Sequence, residues 1–123
     1  DHSCTSVATQ MGGLAAITGP MDEIEGFRKS FQKRRDIVVA GLNDIKGVRC
    51  RVPGGAFYAF PNISGTGWES RDLARELLDK AYVALIFGDS FGANGKGYMR
   101  LSYAASEADI VEALKRMKTF IEG

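Results

Sequence analysis

Hydrophobic residues recur along the middle of the chain with the period of a helix. From Met21 to about Ile45, the residues Ile24, Phe27, Phe31, Val38, Leu42 and Ile45 follow one another at spacings of three, four or seven. Lys29, Lys33, Arg34, Arg35 and Asp36 fill positions between them. This pattern predicts one long amphipathic helix. At about 1.5 Å per residue it runs beyond 30 Å, more than a small domain needs to cover its own core, and so suits it to bracing a further body of protein. Ahead of it, Thr5 to Ile17 is rich in Ala and Gly and ends at Gly19-Pro20, a stop signal, which predicts a short, tightly packed helix. Ser70 is placed to cap a third helix with Leu73, Leu77 and Ala81 on one face. Ser106 and Asp109 have capping-box spacing and open a last helix whose buried stripe is Ile110, Ala113, Leu114, Met117 and Ile121.

Between the helices the period shortens to two. Val48-Arg49-Cys50-Arg51-Val52 alternates apolar with charged side chains, Pro53-Gly54-Gly55 turns the chain, and Ala56-Phe57-Tyr58-Ala59-Phe60 returns, a pattern that predicts a hairpin. Val83-Ala84-Leu85-Ile86 predicts a short apolar strand, Gly88 to Gly97 a mobile connecting loop, and Tyr98 to Tyr103 another strand. The sum is an α+β domain over residues 1–123, with helices packed on one face of a small mixed sheet and a long helix in the N-terminal half.

Composition narrows the function classes. With 123 residues, 45% hydrophobic and 25% charged, the chain has the make-up of one folded domain. Sixteen Lys and Arg against fifteen Asp and Glu give a net charge of +1, which supplies no broad field for nucleic acid or an anionic membrane. No apolar run approaches the roughly 20 residues of a membrane span. The start, Asp1-His2-Ser3-Cys4-Thr5, has neither signal-peptide nor transit-peptide character, so the expected location is the cytoplasm. Cys4 and Cys50 lack metal-ligand spacing and His2 is the sole histidine, which leaves no zinc site and no cysteine–histidine nucleophile. Two lone thiols fit a reducing compartment, with one bridge between them as the alternative. Residue 1 is Asp, and the polar start leads directly into helix-forming sequence, as expected of an excised piece.

Several segments invite a chemical reading. Gly95-Lys96 fails as a phosphate loop because Ser90 stands where the first glycine is needed and Gly97 where a hydroxyl is needed. Gly54 to Phe60 lacks the basic residue and the glycine–aromatic alternation of an RNA-binding strand. Asp22, Glu23 and Glu25 suit the positive end of a helix dipole better than acid–base work. Arg100 interrupts an apolar strand and has two readings. It is either a fork for a carboxylate or an outward-facing residue of an edge strand alternating with Met99 and Leu101.

Four segments, taken in order, carry a resemblance: Thr5-Ser6 through Gly19-Pro20; Phe27-x-x-x-Phe31-x-x-Arg34-Arg35-Asp36; Gly54-Gly55-Ala56-Phe57-Tyr58-Ala59-Phe60-Pro61; and Phe91-Gly92-x-x-Gly95-x-Gly97-Tyr98-Met99-Arg100-Leu101-Ser102-Tyr103-Ala104. Over nearly its whole length the chain resembles the C-terminal part of class I/II aminotransferases, pyridoxal-phosphate enzymes of fold type I related to aspartate aminotransferase. The resemblance implies that Arg100 binds the α-carboxylate of an L-amino acid or 2-oxo acid substrate. For Phe57 the resemblance leaves two roles, an approach to the substrate as in some relatives or packing in the core. The family's Schiff-base lysine, its phosphate-binding arginine and the aspartate at the pyridine nitrogen belong to upstream sequence. None of Lys29, Lys33, Lys46, Lys80, Lys96, Lys115 and Lys118 has such surroundings. The resemblance therefore implies a small C-terminal domain with no catalytic, cofactor-binding or metal-binding residue of its own, inactive alone, from a parent that forms homodimers through its large domain. Val7, Met11 and Leu14 would then lack partners and form an apolar patch. One departure is Phe87-Gly88, where many relatives have Pro-Gly. The competing expectation is an autonomous α+β module that binds or senses a small molecule without catalysis.

Overall fold

The computed structural model describes residues 4–123; His2 lies outside the described residues. Four helices and three short strands follow in the order α1 (Val7–Thr18), α2 (Asp22–Asn43), β1 (Tyr58–Ala59), α3 (Ser70–Ala81), β2 (Ile86–Phe87), β3 (Met99–Ser102) and α4 (Glu107–Glu122). The architecture is α+β, with helices layered on a small sheet.

Helix α2 divides into two halves with different environments. Val38, Val39 and Leu42 in its C-terminal half are buried, whereas Ile24 and Phe27 are 51% and 66% exposed. Its apolar stripe is continuous in sequence, but its fully buried side chains lie only in the last turns, with Phe31 partly buried against the core. Asp22, Glu23 and Glu25 occupy the first turn, where their charge complements the positive end of the helix dipole. The Arg28 guanidinium, hydrogen-bonded to Glu25, holds that carboxyl below the usual carboxylate range.

Helix α1 forms where expected but is not packed, because no residue in it is buried and Val7, Met11 and Leu14 are all exposed. Local bonds carry it: the Ser6 hydroxyl accepts the Thr9 N–H, and the Thr18 hydroxyl donates to the Leu14 carbonyl. The expected apolar patch is present on this element and continues along Ile17, Met21, Ile24 and Phe27.

Two local expectations about helix starts divide. At α4 the serine cap forms: the Ser106 hydroxyl accepts the Asp109 N–H at 3.1 Å and donates to the Asp109 carboxylate at 2.6 Å, a hydroxyl–carboxylate bond in place of the backbone half of a capping box. Ile110, Leu114 and Met117 are buried beneath it, with Ala113 and Ile121 at the margin. Ser106→Ala is expected to lower stability by about 1 kcal/mol in urea unfolding, the usual contribution of such a cap. At α3 the capping position belongs to Glu69, and Ser70 is the first helical residue. Ser70 shares the inward face with Leu73 and Leu77 and is 1% exposed, so its hydroxyl is turned into the core and makes no hydrogen bond.

The sheet has the order β1-β3-β2 and is antiparallel throughout, where the sequence predicts a mixed one. The expected hairpin does not form. Arg49 and Asn62 exchange one pair of backbone hydrogen bonds at 2.9 and 2.8 Å, and Tyr58–Ala59 pairs with β3. The cause lies at Cys50, whose N–H and carbonyl are both taken by the Asn43 side chain at the end of α2. Beyond it the chain opens into an exposed loop, in which Ala56 adopts φ +61°. Tyr103 closes the core under this loop: it is buried, its hydroxyl donates to the Ala56 carbonyl at 3.0 Å, and burial pushes its phenol pKa up.

An aromatic sheet face around an uncommitted arginine

Register places the sheet's residues on two faces. Tyr58 lies opposite Ser102, Ala59 opposite Leu101, Ile86 opposite Arg100 and Phe87 opposite Met99. Paired residues share a face and neighbours along a strand alternate. Ala59, Met99 and Leu101 are buried in the core. Tyr58, Ile86, Arg100 and Ser102 therefore point the other way, and the antiparallel bridge between Asn62 and Tyr98 carries the same alternation to Phe60 and Tyr98. An outward sheet face is normally polar. Here it is largely aromatic, with Phe60 39% and Phe91 50% exposed.

Arg100 stands on the central strand of this face. Its guanidinium carbon lies 4.4 Å from the centre of the Tyr58 ring and 4.5 Å from that of Phe91. Tyr58 comes from β1 on one side of β3, and Phe91 from the turn that follows β2 on the other. Phe60 completes the cluster, stacked on Tyr98 at 5.2 Å and meeting Phe91 edge-on at 6.1 Å. Among the described residues the Arg100 guanidinium has neither a hydrogen bond nor an ion pair, whereas those of Arg28 and Arg116 are held by Glu25 and Glu112. Rings attract the flat face of a guanidinium and leave its in-plane N–H groups free. The arrangement thus presents an unneutralised planar fork on a partly apolar surface, suited to a carboxylate.

The segment from Gly88 to Gly97, expected as a mobile connecting loop, has local structure of its own. It folds into two successive 3₁₀ turns, Gly88–Phe91 and Ala93–Gly95, with Gly88 and Gly95 buried against each other. The Gly88 N–H donates to the Tyr98 carbonyl at 2.7 Å. This compact knot aims Phe91 at Arg100. Phe87, at the departure from Pro-Gly, pairs with Met99, and its ring lies under the Arg71 guanidinium at 4.7 Å.

The other candidates lie elsewhere. Phe57 is 41% exposed, its ring 6.1 Å from Phe31 of α2 and 4.5 Å from Tyr58, so it borders the arginine's cluster from the helix side. Cys50 is buried and free, and burial raises its thiol pKa; Cys4 is exposed and free. Of the seven lysines, six are exposed, and Lys118 is engaged with Asp44 at 2.6 Å. No lysine lies in the Arg100 cluster among the contacts that define it. Tyr58 and Phe91, which flank the arginine, are the site residues that sequence reasoning missed. The only sequence signal for them is their presence in two of the four segments that carry the resemblance.

The sequence model for "Aminotransferase class I and II" matches residues 1–117. The chain belongs to the class I and II aminotransferases. Among its relatives, an aspartate aminotransferase of Pyrococcus horikoshii is 41% identical over 116 residues, which are 93% of this chain and 30% of that protein. The crystal structure of an aspartate aminotransferase from Rhizobium meliloti superposes with a TM-score of 0.88 at 39% identity, covering 98% of this chain and 32% of its own. An alanine aminotransferase from Pyrococcus furiosus gives a TM-score of 0.90 at 32% identity, covering 97% and 30%. This aminotransferase chain therefore spans about a third of the length of the proteins it matches. Among its described residues no helix is long and apolar enough to cross a membrane.

Proposed function

We propose that this chain is the C-terminal small domain of a pyridoxal-phosphate-dependent aminotransferase, and that Arg100 holds the α-carboxylate of the L-amino acid donor and of the 2-oxo acid acceptor. One observation carries the reading. In a chain of this family, the arginine of the Arg100-Leu101-Ser102-Tyr103-Ala104 segment stands among the rings of the open sheet face, and among the described residues no acidic side chain pairs with it.

The chemistry follows from what both substrates share. Every amino donor and every 2-oxo acid carries a carboxylate beside the reacting carbon, so one fixed fork orients both halves of the exchange. Two parallel charge-assisted hydrogen bonds fix direction as well as position. The surrounding rings lower the local dielectric and exclude water, which strengthens the same pair. Aspartate and alanine, the substrates in the names of the relatives above, both present this group.

The remaining machinery, cofactor and Schiff-base lysine included, belongs on this reading to a large domain outside the chain, and the chain alone is inactive. The exposed N-terminal half of α2 and the apolar side of α1 brace that junction. The parent is a cytoplasmic homodimer. In it, closure of the small domain would carry Arg100 onto the substrate and shed water.

The test compares each amino acid with the amine that lacks its carboxylate, using the full-length enzyme and a 2-oxo acid acceptor. Amino acids are expected to transfer their amino group, and the matching amines to react at least about a hundredfold more slowly, as befits loss of two charge-assisted bonds. Equal rates for acid and amine would remove the carboxylate clamp.

A further inference from the structure

The guanidinium of Arg100 ends a long, rotatable side chain, and a clamp built on such a group works only if its orientation is fixed before the substrate arrives. In most proteins an acidic neighbour would do this. Such a neighbour would also occupy the N–H groups that a substrate carboxylate needs. Here no acid performs that role among the described residues, and two rings lie against the guanidinium in its place, at 4.4 and 4.5 Å. We propose that Tyr58 and Phe91 are positioning residues that hold Arg100 from either side, so that its hydrogen-bonding edge alone is offered to a carboxylate. This inference rests on the reading that Arg100 receives that carboxylate, and it assigns the pre-orientation of the clamp to two further side chains.

The rings are themselves held. Tyr58 sits in β1, paired through its backbone with Ser102, and its ring is packed on Phe57 at 4.5 Å. Phe91 ends the first 3₁₀ turn, which is fixed through Gly88 to Tyr98, and its edge meets Phe60. Phe60 is stacked in turn on Tyr98. Arg100 is thus flanked by groups anchored in different segments on the two sides of its strand. An attractive contact with the face of a ring restricts the arginine's rotamers without using a hydrogen bond, which moves the ordering cost from the binding step into the fold. Phe91 is half-exposed, so a substitution there removes little from the core.

The experiment uses the full-length holoenzyme and measures binding of the α-methyl analogue of its preferred amino acid, which carries no α-hydrogen to lose, together with KM and kcat. Variants are Phe91→Leu, Phe91→Tyr, Tyr58→Leu and Tyr58→Phe, each made with Arg100 intact and in an Arg100→Ala background. Each ring-to-leucine change is expected to weaken the analogue by about three- to tenfold, the worth of a partly exposed cation–π contact. The weakening should fall on KM more than on kcat. Phe91→Tyr and Tyr58→Phe should restore binding to within about twofold, because the π face is kept. In the Arg100→Ala background the leucine changes should have no further effect, as coupling through the arginine requires. Two results overturn the positioning role while leaving the clamp intact: Arg100→Ala weakens binding but the leucine changes do nothing, or they weaken it equally in both backgrounds. Unchanged binding in Arg100→Ala alone overturns the clamp itself, and the positioning role falls with it. Using either ring keeps the test decisive if one leucine variant fails to fold by circular dichroism.

Discussion

Arg100→Ala in the full-length enzyme is expected to raise the KM for amino-acid substrates about a hundredfold while leaving cofactor affinity unchanged. Two hydrogen bonds from a guanidinium to a carboxylate, at the lower end of the usual worth of charged bonds, sum to about 3 kcal/mol, which converts to that factor. Arg100→Lys keeps the charge but replaces the planar fork with a point donor, so an intermediate loss of roughly tenfold is expected. Stability should fall by no more than about 2 kcal/mol. Arg100 is half-buried, makes no ion pair among the described residues, and gives up two ring contacts worth about 1 kcal/mol each at most when partly exposed. Steady-state kinetics on a series of amino donors, with cofactor titration and urea unfolding alongside, separates these effects. A full-length Arg100→Ala enzyme with unchanged amino-acid kinetics would remove the assignment.

What the sequence conveys about this chain depends on how far apart the deciding partners lie. Helices α2 and α4 are legible because their stripes and their starts are local: a period near 3.6, acidic residues in a first turn, a serine three positions before an aspartate. Arg100 is legible through the segment that surrounds it. The hairpin misleads because the residue that breaks it, Asn43, belongs to a different element and reaches Cys50 through a side chain. Ser70 misleads for a related reason: its helix starts one residue earlier, and the inward face then claims a polar side chain. Composition reports Gly88 to Gly97 as mobile, but glycine also permits close backbone contact, and that is its use here. The rings beside Arg100 were the least accessible, because only the register of β1 on β3 and the folded glycine segment bring Tyr58 and Phe91 to it.

That glycine segment yields the second large effect: Gly88→Ala is expected to cost about 2–3 kcal/mol of stability, in the upper part of the range for forced overpacking. A Cβ on Gly88 would fall inside the contact distance of the Gly95 carbonyl oxygen and 2.8 Å from that of Tyr98, and a Cβ on Gly95 would strike the Gly88 carbonyl in return. The obstacles are backbone atoms on both sides, so no side chain can swing away to relieve the clash. The chain must part the two 3₁₀ turns or give up the bond from the Gly88 N–H to Tyr98. Either movement shifts Phe91, which ends the first turn, away from Arg100. The Gly88→Ala protein should therefore bind amino acids more weakly as well as unfold at lower urea, linking a packing defect to the site. Gly54→Ala is the control. A Cβ there meets nothing within 4 Å, and the change should alter stability by no more than about 0.5 kcal/mol, with amino-acid binding unaffected. If Gly88→Ala unfolds at the same urea concentration as Gly54→Ala, the two turns are not packed as closely as described, and the hold of this segment on Phe91 is lost with them.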